Sequence, residues 1–64
     1  MTDLQKSIKD YINRQFAPGT IKRLELVGNE EVRITDWTGT TMTLTTDQYG
    51  NIMDAGTKRI YEFR

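Results

Sequence analysis

Residues 31–46, EVRITDWTGTTMTLTT, read as two β-strands joined by a tight turn, and the length of that turn decides how the strands face each other. Asp36 and Gly39 bracket Trp37 and Thr38, the spacing of a type I turn that ends on a left-handed glycine. A three-residue loop at 37–39 sets Val32 against Leu44 and Ile34 against Met42 on one face. Arg33/Thr43 and Thr35/Thr41 then meet on the other. A two-residue loop at Thr38-Gly39 slips the register by one and sets Ile34 against Thr43, mixing the faces. The three-residue loop is therefore expected.

Working outward, Gly28-Asn29-Glu30 is a similar loop that places Leu26 opposite Val32 and Leu24 opposite Ile34 on a preceding strand. Eleven residues after the first turn, Asp47-Gln48-Tyr49-Gly50 repeats its chemistry. The β pattern, rich in threonine and β-branched residues, predicts strands at 20–27, 31–37, 40–46, 51–54 and 58–63. Before it, Leu4, Ile8, Tyr11, Ile12 and Phe16 recur at helical spacing. Thr2 and Gln5 form a capping box, and Ala17-Pro18-Gly19 stops the chain, so a helix is predicted over 3–16. The fold class is α+β: an N-terminal helix packed on a four- to five-stranded antiparallel meander, all in one domain spanning 1–64.

The helix stripe and one sheet face (Leu24, Leu26, Val32, Ile34, Met42, Leu44, Ile52, Ile60) are the expected core. The other face is polar at its centre, with Arg33, Thr35, Thr41, Thr43 and Thr45, but apolar at its rims. Ile21 and Val27 lie at one rim, and Met53, Tyr61 and Phe63 at the other. A sheet curled until strands one and five meet would hide these rims and remove an open edge. That architecture is similar to the small SH3-like and Sm-like barrels, a likeness of shape that transfers no function.

Sixty-four residues without cysteine or histidine exclude disulfide staples and a Cys/His zinc site. The first residues show no secretory leader pattern, and no run approaches the roughly 20 apolar residues that span a bilayer. A cytoplasmic location and no membrane contact are expected. Catalysis has little to draw on: the one serine, Ser7, is mid-helix, and the acidic residues belong to turns. No enzymatic activity and no cofactor are expected. Asp47–Asp54 lacks the alternating oxygen ligands and final glutamate of a calcium loop. The threonine row on 41–45 reads as a solvated face.

What remains is interaction. Residues 1–24 carry five basic and two acidic side chains, 25–56 one against six, and 57–64 three against one. The bland reading is that basic ends and acidic middle complement each other within the fold. The favoured function is a small adaptor or inhibitor that binds another protein. Trp37 and Tyr49 serve as aromatic contacts on adjacent loop tips at one end of the sheet. Against this stands a Trp37 that folds back over Thr35 and Thr41. Met53, Tyr61 and Phe63 are expected to stay out of water, by barrel closure or in a homodimer, or else to be the binding patch themselves. The alternative is nucleic-acid binding by Lys6, Lys9, Lys22, Arg23, Lys58 and Arg59, with Arg14 and Arg64 in support.

Overall fold

The computed structural model describes the whole chain, Met1–Arg64. Helix α1 runs Asp3–Gln15, followed by β1 (Ile21–Val27), β2 (Glu31–Asp36), β3 (Thr41–Thr46), β4 (Ile52–Asp54) and β5 (Ile60–Glu62). The strands form one antiparallel sheet in sequence order, with the helix across it over β2 and β3. Both hairpin registers read from the turns hold: Val32 faces Leu44 and Ile34 faces Met42, while Leu24 and Leu26 face Ile34 and Val32. The expected elements are each a residue or more shorter. Phe16 is the helix C-cap, and Thr20, Trp37, Thr40, Asn51, Lys58, Arg59 and Phe63 lie in connections.

The capping box is present, and it does more than start the helix. Gln5 is 2% exposed. Its carboxamide Nε2 donates to the carbonyls of Gly28 (2.9 Å) and Glu31 (3.2 Å), and its Oε1 accepts from the Thr2 amide at 3.0 Å. The Thr2 hydroxyl accepts from the Gln5 amide and donates to the Asn29 carbonyl at 2.6 Å. The first helical turn is thereby pinned to the β1–β2 loop and to the first residue of β2. This rotates the helix from the expected stripe. Gln5, Ile8 and Ile12 face the sheet, and Leu4 is turned outward and exposed.

The core is Ile8, Ile12, Val32, Ile34, Leu44 and Ile52, with Tyr11, Phe16, Ile21, Leu24, Met42 and Tyr61 packed around it. Ile21 and Tyr61 were expected on the opposite face, and a bulge brings each across. On β1 the register jumps from Arg23↔Thr35 to Ile21↔Asp36, so Lys22 is the extra residue. On β5 it jumps from Ile60↔Met53 to Glu62↔Ile52, so Tyr61 is extra. Each one-residue slip moves the residues beyond it to the other face. Ile60 accordingly shares its face with Met53 rather than the core. Leu26 keeps its expected partner but is 45% exposed, because β1 is the outer strand and the helix does not reach over it.

The sheet does not close into a barrel. β1 pairs only with β2 and β5 only with β4, leaving two edges. The helix already covers the apolar face, and the bulges move Ile21 and Tyr61 to it, so two of the rim residues that closure would have joined pack against the core instead. At its far end the helix is tied to β5 by a two-pronged Arg14–Glu62 ion pair at 2.9 and 3.1 Å.

Three turns share one device, an aspartate whose carboxylate accepts from amides ahead of it. Asp36 Oδ1 accepts from the Thr38 and Thr40 amides and the Thr38 hydroxyl. Asp47 takes the Tyr49 and Asn51 amides and the Asn51 side chain. Asp54 takes the Gly56 and Thr57 amides and the Tyr61 hydroxyl. Gly39 and Gly50 close the first two loops at positive φ. At Gly50 a Cβ would also lie 2.9 Å from Arg64 Cδ, a contact that the exposed arginine side chain can relieve by moving. The third turn makes the same bend with Lys58 at φ +67°, which a lysine adopts less readily than glycine.

Gln5→Leu conserves approximate volume but removes the carboxamide bonds to the Gly28 and Glu31 carbonyls and to the Thr2 amide. It is expected to lower unfolding free energy in urea by about 2 kcal/mol. Leu4→Gln, on the exposed side of the same turn, should stay within about 0.5 kcal/mol.

The turns also make the fold acid-sensitive. The Thr38 hydroxyl and then the loop amides hold the Asp36 carboxyl below its ordinary value of 3.8. At Asp47 partial burial opposes ionisation, but hydrogen bonds from the Asn51 side chain and the loop amides outweigh it. The Thr57 and Gly56 amides lower Asp54. Each folded pKa lies below its unfolded value, so the folded state binds fewer protons in the acid range. The turn contribution is therefore complete above about pH 4 and is lost as pH falls through the depressed values. Urea midpoints from pH 7 to 2 should drop in that window, and Asp36→Asn and Asp47→Asn should each flatten part of the drop.

Candidate protein-binding surface

The strand order places the loops at alternating ends of the sheet. The helix start, the β1–β2 loop, the β3–β4 loop and Arg64 lie at one end. The helix stop, residues 17–20, the β2–β3 loop and the β4–β5 loop lie at the other. Trp37 and Tyr49 therefore stand at opposite ends of β3, about 20 Å apart for a strand of this length, and are not neighbouring tips as expected. Both are 67% exposed. Successive hairpins of any meander alternate ends, so this separation was implicit in the strand assignment itself.

Trp37 does not fold back over Thr35 and Thr41. Its Nε1 donates to the Gly19 carbonyl at 2.8 Å, and Lys22 Nζ stands 5.7 Å from the ring centroid. Gly19 lies in the connection that follows the helix end at Gln15 and its C-cap Phe16. Lys22 reaches the ring as the bulged residue of β1, opposite the Asp36 that opens the Trp37 loop. The indole is thus fixed from two sides while most of its surface faces water. It adjoins a hollow of about 360 Å³ lined by Ile12, Asn13, Phe16, Ala17, Pro18, Gly19 and Ile21. Four other surface hollows have a single apolar lining residue each. Only this hollow has a mostly apolar wall, and Trp37 is bonded to one of its lining residues, Gly19. Phe16 and Ile21 were missed as site residues because both read as packing positions, and only the bulge at Lys22 places Ile21 here.

The strip of Met53, Tyr61 and Phe63 is not a unit. Tyr61 packs against the core, with its hydroxyl 3.3 Å from Asp54 Oδ2. Desolvation, then the Asp54 charge, raises its pKa. Met53 is half-buried on the other face. Phe63 is 73% exposed in the single chain, so barrel closure does not keep it out of water. Its neighbour Arg64 donates its amide to Asn51 Oδ1 beside Gly50, so Phe63 and Tyr49 lie at the same end.

The basic residues do not form one stripe. Lys6 and Lys9 are on the outer side of the helix, beside Asp10 and Asn13. Lys22 and Arg23 are at the start of β1, and Lys58 and Arg59 precede β5. The last two pairs share an end but sit on opposite edges of the sheet, about 19 Å apart if it were flat. Acidic and basic segments pair little: Arg14–Glu62 and Arg23–Glu25 (3.8 Å) are the ion pairs. Internal complementarity thus does not explain the alternation. Instead Asp3, Glu30, Glu31 and Asp47 outnumber Arg64 at the Tyr49 end, and Lys22, Arg23, Lys58 and Arg59 outnumber Asp36 and Asp54 at the other.

No group of three acidic side chains converges to hold a metal ion, and no helix is long and apolar enough to cross a membrane. No family model, curated protein or solved structure matches the chain.

Proposed function

We propose that the domain is a small non-enzymatic module, an adaptor or inhibitor, that binds another protein through Trp37 and the apolar hollow beside it. The observation that carries this reading is an indole held by the Gly19 carbonyl and Lys22 yet two-thirds exposed. A side chain already fixed loses little conformational entropy when a partner covers it, and buried tryptophans dominate interface energetics. The hollow lined by Ile12, Phe16 and Ile21 would accept one apolar side chain of the partner. Lys22 and Arg23, at the start of β1 on this side, would favour an acidic surface around it. Absence of cysteine suits a reducing cytoplasm, the location that goes with this proposal. The basic groups that would serve a nucleic acid are divided among the helix and two sheet edges, which favours the protein reading.

The test is capture from source cells with tagged wild type, Trp37→Ala and Tyr49→Ala, each with and without nuclease. Titration of the recovered partner follows. Trp37→Ala should remain folded and weaken binding roughly 30-fold, as for a central aromatic, while Tyr49→Ala should change it little. Undiminished binding by Trp37→Ala would place the site elsewhere. Capture abolished by nuclease, with steeply salt-dependent heparin retention, would favour the nucleic-acid alternative.

A further inference from the structure

The two edges of the sheet are unequal. β5 is three residues long, bulged, and entered through Lys58-Arg59, all features that discourage strand addition. β1 is seven residues long and has no proline, and from Arg23 to Val27 it pairs regularly with β2. Its outer backbone groups have no strand beside them. The lysine that would guard this edge, Lys22, is folded over Trp37. Leu26, apolar and 45% exposed, stands on the side of β1 that the helix leaves uncovered.

We propose that β1 is a self-association edge, where two copies of the chain join antiparallel to make one ten-stranded sheet. The side chains select the register. A two-fold axis through Leu24 sets Arg23 of each copy opposite Glu25 of the other, twice, with Leu24 against Leu24 on the opposite face. Moving the axis to Glu25 uses the same strand but places Glu25 against Glu25, which is unfavourable. The charge order Arg-Leu-Glu is thus self-complementary in one register and self-repelling in the next. In the isolated chain Arg23 and Glu25 have only each other, at 3.8 Å and largely exposed. Pairing of the strands would also bring the second chain alongside Leu26. This surface is separate from the Trp37 hollow and does not depend on its partner.

The test is sedimentation equilibrium at low salt, up to about 1 mM protein, the range in which weak association is still populated. Wild type should show a monomer–dimer equilibrium. Arg23→Glu and Glu25→Arg should each weaken it at least about tenfold, since like charges then face each other. The double exchange Arg23→Glu/Glu25→Arg should restore it, and a mixture of the two single variants should form a heterodimer. Glu25→Arg also meets Arg33 on β2, so Arg23→Glu, opposite Thr35, is the arm to rely on if the former folds poorly. A wild type that is monomeric throughout, a dimer indifferent to either single change, or a double exchange that fails to restore association would each overturn the proposal.

Discussion

Burial of the Gln5 carboxamide sets where the helix lies, and much of the rest follows from that placement. The two Nε2 hydrogens bond the carbonyls of Gly28, in the β1–β2 loop, and of Glu31, the first residue of β2. A buried side-chain amide left unpaired costs about 1–3 kcal/mol, a large loss for a domain with six buried apolar residues, so Gln5 must keep its carbonyl partners. With Thr2 bonded to Asn29, the first turn has one seat on the sheet. From it, Ile8 and Ile12 reach Val32, Ile34 and Leu44, and Arg14 reaches Glu62 at the far side. A second buried polar group, Thr45, supports the same loop by donating to the Glu30 carbonyl at 3.1 Å. The β1–β2 loop is therefore held from the helix and from β3 together.

The elements, their order and two hairpin registers were legible because each rests on local chemistry: a capping box, a helix-stopping Pro18, and Asp-x-x-Gly loops whose length fixes which faces meet. The partition of the core was less so. Leu4 was assigned inward because it is apolar, and Gln5 was seen only as half of a cap. Its carboxamide is buried because of carbonyls more than twenty residues away, which a helical periodicity cannot register. The bulges were invisible for a related reason. Ile21 and Tyr61 alternate correctly for the outer face until an extra residue is inserted. The advantage of inserting it is burial against Ile8 and Ile12, a tertiary gain with no mark in the strand itself.

The candidate site was half legible. Trp37 stood out as an aromatic in a loop. Its tether to Gly19 and its neighbours Phe16 and Ile21 depend on where the helix stops over the sheet, and hence on the seat at Gln5. The alternating charge of the sequence turns out to be a polarity of the molecule, acidic at the Tyr49 end and basic at the Trp37 end. That polarity orients partners more than it stabilises the fold, since exposed pairs such as Arg14–Glu62 contribute little. The open sheet has a consequence of its own. Packing Ile21 and Tyr61 against the core instead of across a closed barrel leaves both end strands free, β5 three residues long and β1 seven, with regular pairing from Arg23 to Val27.

The seat of the helix can be observed without altering the protein. Gln15 and Gln48 are exposed, whereas both Nε2 hydrogens of Gln5 are bonded and enclosed. Side-chain amide hydrogen exchange followed by NMR compares the three glutamines in one sample. The account predicts that the Gln5 pair exchanges far more slowly than the other two and shows contacts to the α-hydrogens of Gly28 and Glu31. A Gln5 pair that exchanges as fast as Gln15 and Gln48, with no contact to the β1–β2 loop, would contradict it.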